Sequence, residues 1–551
     1  MSAQGRFGRV DWGVAVLLFA GIVAYLGYLP RDLGITDESN FLYEAKRIRD
    51  GEVMYRDFFQ FGAPGASYAM ALLFWAFGTT MATARIGTAV VHGLTAVLTY
   101  ATGRALRVRP ALAVLPPVAY IALCQPAWHV ASWYWFGTLV MTLLVLALVR
   151  GPWASRPRWT VVPGLLTGLL IAAQHQRGLP TAAGVVALLV IDHLIDLRYG
   201  TTASWRSLAT RLFSFLAGVA LIDGPLLLIF VALAGSETLW NDLVRFPLEN
   251  YHRLLTAPWG QVLKITSGLA AYTFPTLLTY LPAALIPACL RLLVGLYGAR
   301  DRQRLRMLLV LIGSGAFAAL SIWHFPDFIH IGFVAGVYLV AAAEALEWAL
   351  TFVRPARVAA PLGWAMALAI MAALALHLQR NAALLKEQFP YSHETAFGRV
   401  DFAEPTEPVL IDATRALLRQ SPSHEIFAYA NTSRPYLTTG GRNPTPFQLF
   451  YPPISGPEQT RQVLTILKEH GPPYIVACIM FMAPKDPIVR VINQDYELVD
   501  LPDTAGRIPI MLLYRRKDLP PGDTAAGGIP PPDRRPGASE GTGNAAEGVR
   551  S

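Results

Sequence analysis

Residues 34–65 read GITDESNFLYEAKRIRDGEVMYRDFFQFGAPG. The stretch is dense in carboxylates, basic groups and aromatics. It follows directly on an apolar run, Val14–Leu29. That run is preceded by Arg6 and Arg9 and lacks a small-residue cleavage site, so it reads as a retained signal anchor. After the stretch comes ASYAMALLFWAFG (66–78), too short to cross a bilayer and suited to lie at its surface.

Composition extends this membrane reading to the chain. Of 551 residues, 54% are hydrophobic and only 15% charged, and mean hydropathy is +0.39. Soluble proteins carry about 25% charged residues. Further apolar runs fall at roughly 82–103, 111–124, 131–149, 160–174, 180–196, 212–234, 275–298, 305–322, 331–352 and 358–376. With the first, they predict about eleven transmembrane helices. Segment 261–274 resembles 66–78.

Loop charges orient the spans. Arg104, Arg107 and Arg109, then Arg150, Arg156 and Arg158, then Arg198, Arg206 and Arg211 all fall on the side of Arg6 and Arg9. Arg300, Arg302, Arg304 and Arg306, then Arg354 and Arg357, fall there too. The loops near Gln125 and His324 carry neither Lys nor Arg. The positive-inside rule makes the N-terminus cytoplasmic, with the loop after the first span and everything past about residue 377 outside. A net charge of +9 distributed in this way argues against a nucleic-acid partner. Cys124, Cys289 and Cys478 have no metal-ligand spacing and read as small buried residues.

Past the spans the pattern changes. PVLIDATRALLRQ and PEQTRQVLTILKEH predict amphipathic helices; EIFAYA, YIVACIM, YELVDL and IPIMLLYRR predict short strands. The expected organisation is a transmembrane domain over 1–376 with a first outer loop at 31–81. A small extracytoplasmic α/β domain over 377–516 and a disordered Pro/Gly-rich tail over 517–551 complete it.

Asp37 and Glu38 are adjacent carboxylates at the expected outer face. They open a segment whose Phe41, Leu42, Ala45 and Ile48 recur at helical spacing. The segment suits either one wall of a site at the lipid–water boundary or a solvated loop. TDESNFLYEAKRIRDGEVMYRDFFQFGAPG, the short apolar helix after it, and ARIGTAVVHGLTAVLTYATGRAL together resemble the first-loop signature of the GT-C glycosyltransferases. The likeness is to the protein O-mannosyltransferase and aminoarabinose-transferase branch. It is carried by Asp37-Glu38, Arg49-Asp50-Gly51, Tyr55, Pro64, Phe77-Gly78 and Arg85, and covers about residues 10–200.

The resemblance implies an all-α polytopic GT-C fold. It also implies an inverting transfer of a sugar from a polyprenyl-phosphate donor to a lipid, glycan or protein acceptor. Asp37 would be the general base and Glu38 its positioning partner. The leaving phosphate calls for cations. AAQHQRGLPTAAGVVALLV matches a family stretch at its basic residue, Arg177, with His175 nearby, though the order RGLP departs from the family's. The alternative for Arg177 is a snorkelling role at an interface. SETLWNDLVRFPLENYHRLL offers Asp242, Arg245, Tyr251, His252 and Arg253 for phosphate or for headgroup anchoring.

SIWHFPDFIHIGFV places His324, Asp327 and His330 at a span mouth, where ionisable groups point to function. His330 joins Arg177, Arg245 and Arg253 as a donor-phosphate candidate; Tyr55, Arg56, His175 and Asp327 are cavity candidates. No cofactor is demanded. A divalent metal ion stays open, because Asp37, Glu38, Asp327 and His330 offer oxygen and nitrogen ligands. WHVASWYWF (128–136) reads as an interfacial aromatic belt, with a sugar-stacking platform as the alternative. NTSRPYLTTGGRNPTPFQLFYPP (431–453) reads as a loop touching donor or acceptor. A lipid-linked-sugar flippase or transporter, or a polysaccharide polymerase or ligase, are the alternatives. The first predicts charges inside several spans and the second predicts key charges in a later loop. A bacterial inner membrane fits the composition.

Overall fold

The computed structural model describes residues 7–125, 128–199, 204–250, 276–298, 301–323, 326–448, 450–451, 454–483, 485–501, 509–519 and 533–534. Contacts divide the chain into two units. The first comprises Met1–Gly27, Asp50–Leu72 and Ile86–Leu378; the second comprises Tyr28–Arg49, Leu73–Arg85 and Gln379–Ser551.

The first unit is helical. Among the described residues, eight helices are long and apolar enough to cross a membrane. They are Arg9–Tyr28, Met81–Ala105, Trp133–Arg150, His175–Arg198, Trp205–Ala234, Arg302–Ser321, Phe328–Leu350 and the last, ending at Gln388. Three shorter apolar helices, Pro110–Cys124, Pro157–Ala173 and Leu281–Leu296, lie where the remaining spans are expected. Gly65–Phe77, expected at the surface, is a 13-residue helix. Segment 261–274 lies outside the described residues.

Small residues let these helices close up. A Cβ at Gly164 would sit 2.1 Å from the Phe215 carbonyl, and one at Gly218 would sit 2.4 Å from that of Val161. Only glycine lets the helices Pro157–Ala173 and Trp205–Ala234 approach so closely. The core gathers Tyr100, Tyr120, Trp135, Leu311, Phe333 and Tyr338. Trp135, expected in an interfacial belt, is therefore a core residue, with its indole N–H on the Val130 carbonyl at 3.0 Å.

The arginine clusters are more than loop charges. Arg104 pairs with Asp11 at 2.8 Å, and Arg109 grips both Glu347 oxygens at 2.9 Å. Asp192, fully buried, takes Arg211 at 3.1 Å and Arg306 at 2.8 Å, while Asp196 takes Arg302 at 2.7 Å. Glu344 holds Arg291 and Arg304. These pairs draw the basic ends of the helices together at one end of the unit.

The second unit carries the sheets. Ile426–Tyr429, Tyr474–Cys478, Met511–Arg516 and Tyr496–Leu498 form a four-stranded sheet in that order. The first pair is parallel, with Ile426 opposite Tyr474, and the others are antiparallel. A parallel pair needs a crossover, and the helix Pro457–Glu469 lies within it. Helices Thr406–Gln420 and Pro457–Glu469 occur where the apolar periodicity predicts them. The hairpin Tyr391–Phe402 went unread: SHETAFGRVDF is polar, and its turn depends on Gly398 at φ 77°. In the tail expected to be disordered, Asp533–Arg534 pair with Tyr391–Ser392.

The first loop is built into this unit. Asp401 receives the Arg31 N–H on its carboxylate at 2.6 Å and gives its own N–H to the Arg31 carbonyl at 3.1 Å. Met81 N–H meets the Phe397 carbonyl at 2.8 Å.

Candidate functional site

In the second unit the stretch after the first span folds as the helix Asp37–Arg49, with both expected carboxylates in its first turn. Carboxylates are favoured there because the helix N-terminus carries partial positive charge. Glu38 is wholly buried and fully committed. One oxygen accepts the Gly34 N–H at 2.7 Å, and Arg85 spans both, at 2.9 and 3.2 Å. Arg85 also reaches the Asp32 carbonyl and carboxylate. Asp37 is half-buried. Glu38 and Arg85 together fix the helix start on which Asp37 is presented.

The C-terminal segment braces the same helix. Ser39 receives the Ser433 N–H at 3.2 Å, Gln448 reaches Glu44 at 3.3 Å, and Tyr43 stacks on Tyr436 with centroids 4.6 Å apart. The stretch read as a substrate-touching loop thus contains a short helix, Arg434–Thr439, anchored by Arg434 on Glu407 at 2.7 Å. Sequence reasoning placed Ser433, Tyr436 and Gln448 in a loop touching donor or acceptor and missed them as supports, because nothing local ties them to a helix about 400 residues away; Gln448 and Glu44 are 404 apart.

In the first unit the decisive residue is Arg177. It is 1% exposed, yet no carboxylate among the described residues pairs with it. One terminal nitrogen donates to Thr138 Oγ at 3.0 Å; Nε and Nη2 have no partner there. Beside it Gln174 Oε1 is likewise unmet. Gly137 admits the pair, since a Cβ there would lie 2.6 Å from Gln174 Oε1 and 3.5 Å from Arg177 Nη1.

Thr138 Oγ lies 2.7 Å from the Phe333 carbonyl. Phe333 stacks on Tyr134 at 4.3 Å, and the His330 ring meets Tyr134 edge-on at 5.6 Å. Asp327 caps the helix Phe328–Leu350, taking His330 N–H at 2.8 Å and facing His330 Nδ1 at 2.7 Å. Arg177, Thr138, Tyr134, His330 and Asp327 therefore form one neighbourhood. Arg177 and His330 stand near the starts of helices whose other ends carry Asp192, Asp196, Glu344 and Glu347. The neighbourhood thus occupies the end of the unit away from the ion-pair network.

The other candidates lie elsewhere. His175 opens its helix, half-buried. Tyr55 is buried at φ 68°, its hydroxyl on the Gly62 carbonyl at 2.6 Å. Arg56 pairs with Asp57 at 2.7 Å and Arg245 with Glu249 at 2.9 Å, both exposed. Arg253, His252 and His324 lie outside the described residues. Asp242, in the π-helical turn Asn241–Arg245, is buried against the Gln60 backbone. Burial pushes its carboxyl up to about 7, partly offset by the Gln60 N–H. Among the described residues no three His, Cys, Asp or Glu gather into a metal-binding group.

No family model matches the chain, and no curated protein is significantly similar to it in sequence. Solved structures are similar in fold. The structure of ArnT from Cupriavidus metallidurans bound to undecaprenyl phosphate matches with a TM-score of 0.56 at 15% identity, over 92% of this chain and 97% of that one. The Archaeoglobus fulgidus oligosaccharyltransferase matches at 0.54 and 13%, over 87% and 70%. The mycobacterial arabinofuranosyltransferase AftD matches at 0.50 and 14%, over 93% and 40%. The chain has the fold of the GT-C glycosyltransferases.

Proposed function

We propose that this chain is an integral membrane glycosyltransferase. It takes a sugar from a polyprenyl-phosphate donor and passes it, with inversion, to a lipid, glycan or protein acceptor at the outer face of a membrane. The GT-C fold supports the reaction class, and the undecaprenyl phosphate bound to the Cupriavidus protein supports the donor class. The observation that carries the reading is Arg177, a buried guanidinium for which the described residues supply no anion. A buried unpaired charge costs several kcal/mol, and a phosphate is its natural complement.

The reaction divides as follows. Asp37 takes the proton of the acceptor hydroxyl as its oxygen bonds to the anomeric carbon. The bond from that carbon to phosphate breaks, and polyprenyl phosphate leaves with the electron pair. Arg177 stabilises the charge gathering on that phosphate, with His330, held by Asp327, as a further donor. Glu38, neutralised by Arg85, positions Asp37 rather than moving protons. In this reading all eleven helical segments cross the bilayer, with the ion-pair end and the N-terminus cytoplasmic.

The test is donor consumption by purified protein over a panel of polyprenyl-phosphate sugars, wild type against Asp37→Asn. Wild-type turnover of one donor, lost in a folded Asp37→Asn variant, is the expected result. Equal turnover by both would remove Asp37 as the base.

A further inference from the structure

Asn40 sits one helical turn after Asp37 on the same face of the helix Asp37–Arg49. It is 2% exposed, and neither Nδ2 nor Oδ1 has a hydrogen-bond partner among the described residues. Its neighbours differ. Ser39 gives its hydroxyl to the Ile35 or Thr36 carbonyl and takes the Ser433 N–H; Glu38 has Arg85 and Gly34; Glu44 has Gln448. A buried amide with donor and acceptor both unmet is costly to the fold, and an apolar side chain of that size would avoid the penalty. Side by side, the two groups match hydroxyls, which donate and accept at once. Asp37, in the first turn of the same helix, is half-buried.

We propose that Asn40 binds a hydroxyl of the transferred sugar and so selects the donor. The proposal rests on the glycosyltransferase reading. Asn40 orients the sugar ring beside the carboxylate that receives the acceptor proton, so its loss affects discrimination among sugars and not the proton transfer itself.

The experiment compares wild type with Asn40→Leu in thermal stability and in kcat/KM over the donor panel, including donors lacking single hydroxyls. The expected variant melts at or above the wild-type temperature. It loses about 10- to 100-fold in kcat/KM on the best donor, as for two lost substrate hydrogen bonds. It also treats that donor and one deoxy analogue alike, where wild type separates them. A variant that melts well below wild type shows that the amide serves the fold, and overturns the proposal. So does a stable variant with wild-type turnover and discrimination, or one altered only in acceptor KM; in these cases the transferase reading stands. If wild type consumes no donor, the underlying reading falls and the proposal with it.

Discussion

Arg85 holds both oxygens of Glu38, at 2.9 and 3.2 Å, across 47 residues of sequence. Both side chains are nearly or wholly buried, at 10% and 0% exposure. Removing one partner strands a buried charge, which typically costs about 3–5 kcal/mol. Arg85→Ala and Glu38→Ala should each lower thermal stability by that order. The double variant should lose less than the sum of the two, giving a coupling of about 1 kcal/mol or more in a double-mutant cycle.

Arg177 behaves oppositely, because the described residues give its charge no carboxylate to lose. Arg177→Met keeps much of the volume and removes the unpaired charge. The variant should melt at or above the wild-type temperature while losing at least about 10-fold in affinity for undecaprenyl phosphate. Ligand-induced thermal stabilisation measures both. A large loss of stability without loss of binding would make Arg177 a structural residue.

Asp242 links stability to pH. Burial raises its carboxyl from 3.8 to about 7 in the folded chain. The native state therefore holds a proton that the unfolded chain releases. This contribution is whole below about pH 4, falls as pH rises toward 7 and is gone above it, to a total of at most about 4 kcal/mol. In melts from pH 4 to 8, Asp242→Asn should gain on wild type as pH rises, then run parallel above about 7. A constant offset across the range would contradict this assignment.

Asp192 is the keystone of the opposite end, meeting Arg211 at 3.1 Å and Arg306 at 2.8 Å. Asp192→Asn should destabilise the detergent-purified protein by about 3 kcal/mol or more. The loss should change little with added salt, because buried pairs are poorly screened.

Sequence alone determined what depends on local pattern and solvent. Apolar run length gave the spans, because backbone groups in lipid must be paired within the segment. Helical spacing at Phe41, Leu42 and Ala45 gave the helix behind Asp37 and Glu38. Period and β-branching gave the strands Ile426–Tyr429 and Tyr474–Cys478. Tertiary structure alone decided which charges are satisfied. The resemblance gives Glu38 a supporting role beside Asp37, but only the return of Arg85 across 47 residues shows what clamps it. Arg177 is marked in sequence by its match to a family basic residue, but nothing there tells that it is buried and without a carboxylate among the described residues. Its difference is that Asp192, Asp196, Glu344 and Glu347 are spent on other arginines at the far helix ends. Pairing of buried charge depends on distances between segments hundreds of residues apart, and no local pattern encodes those distances.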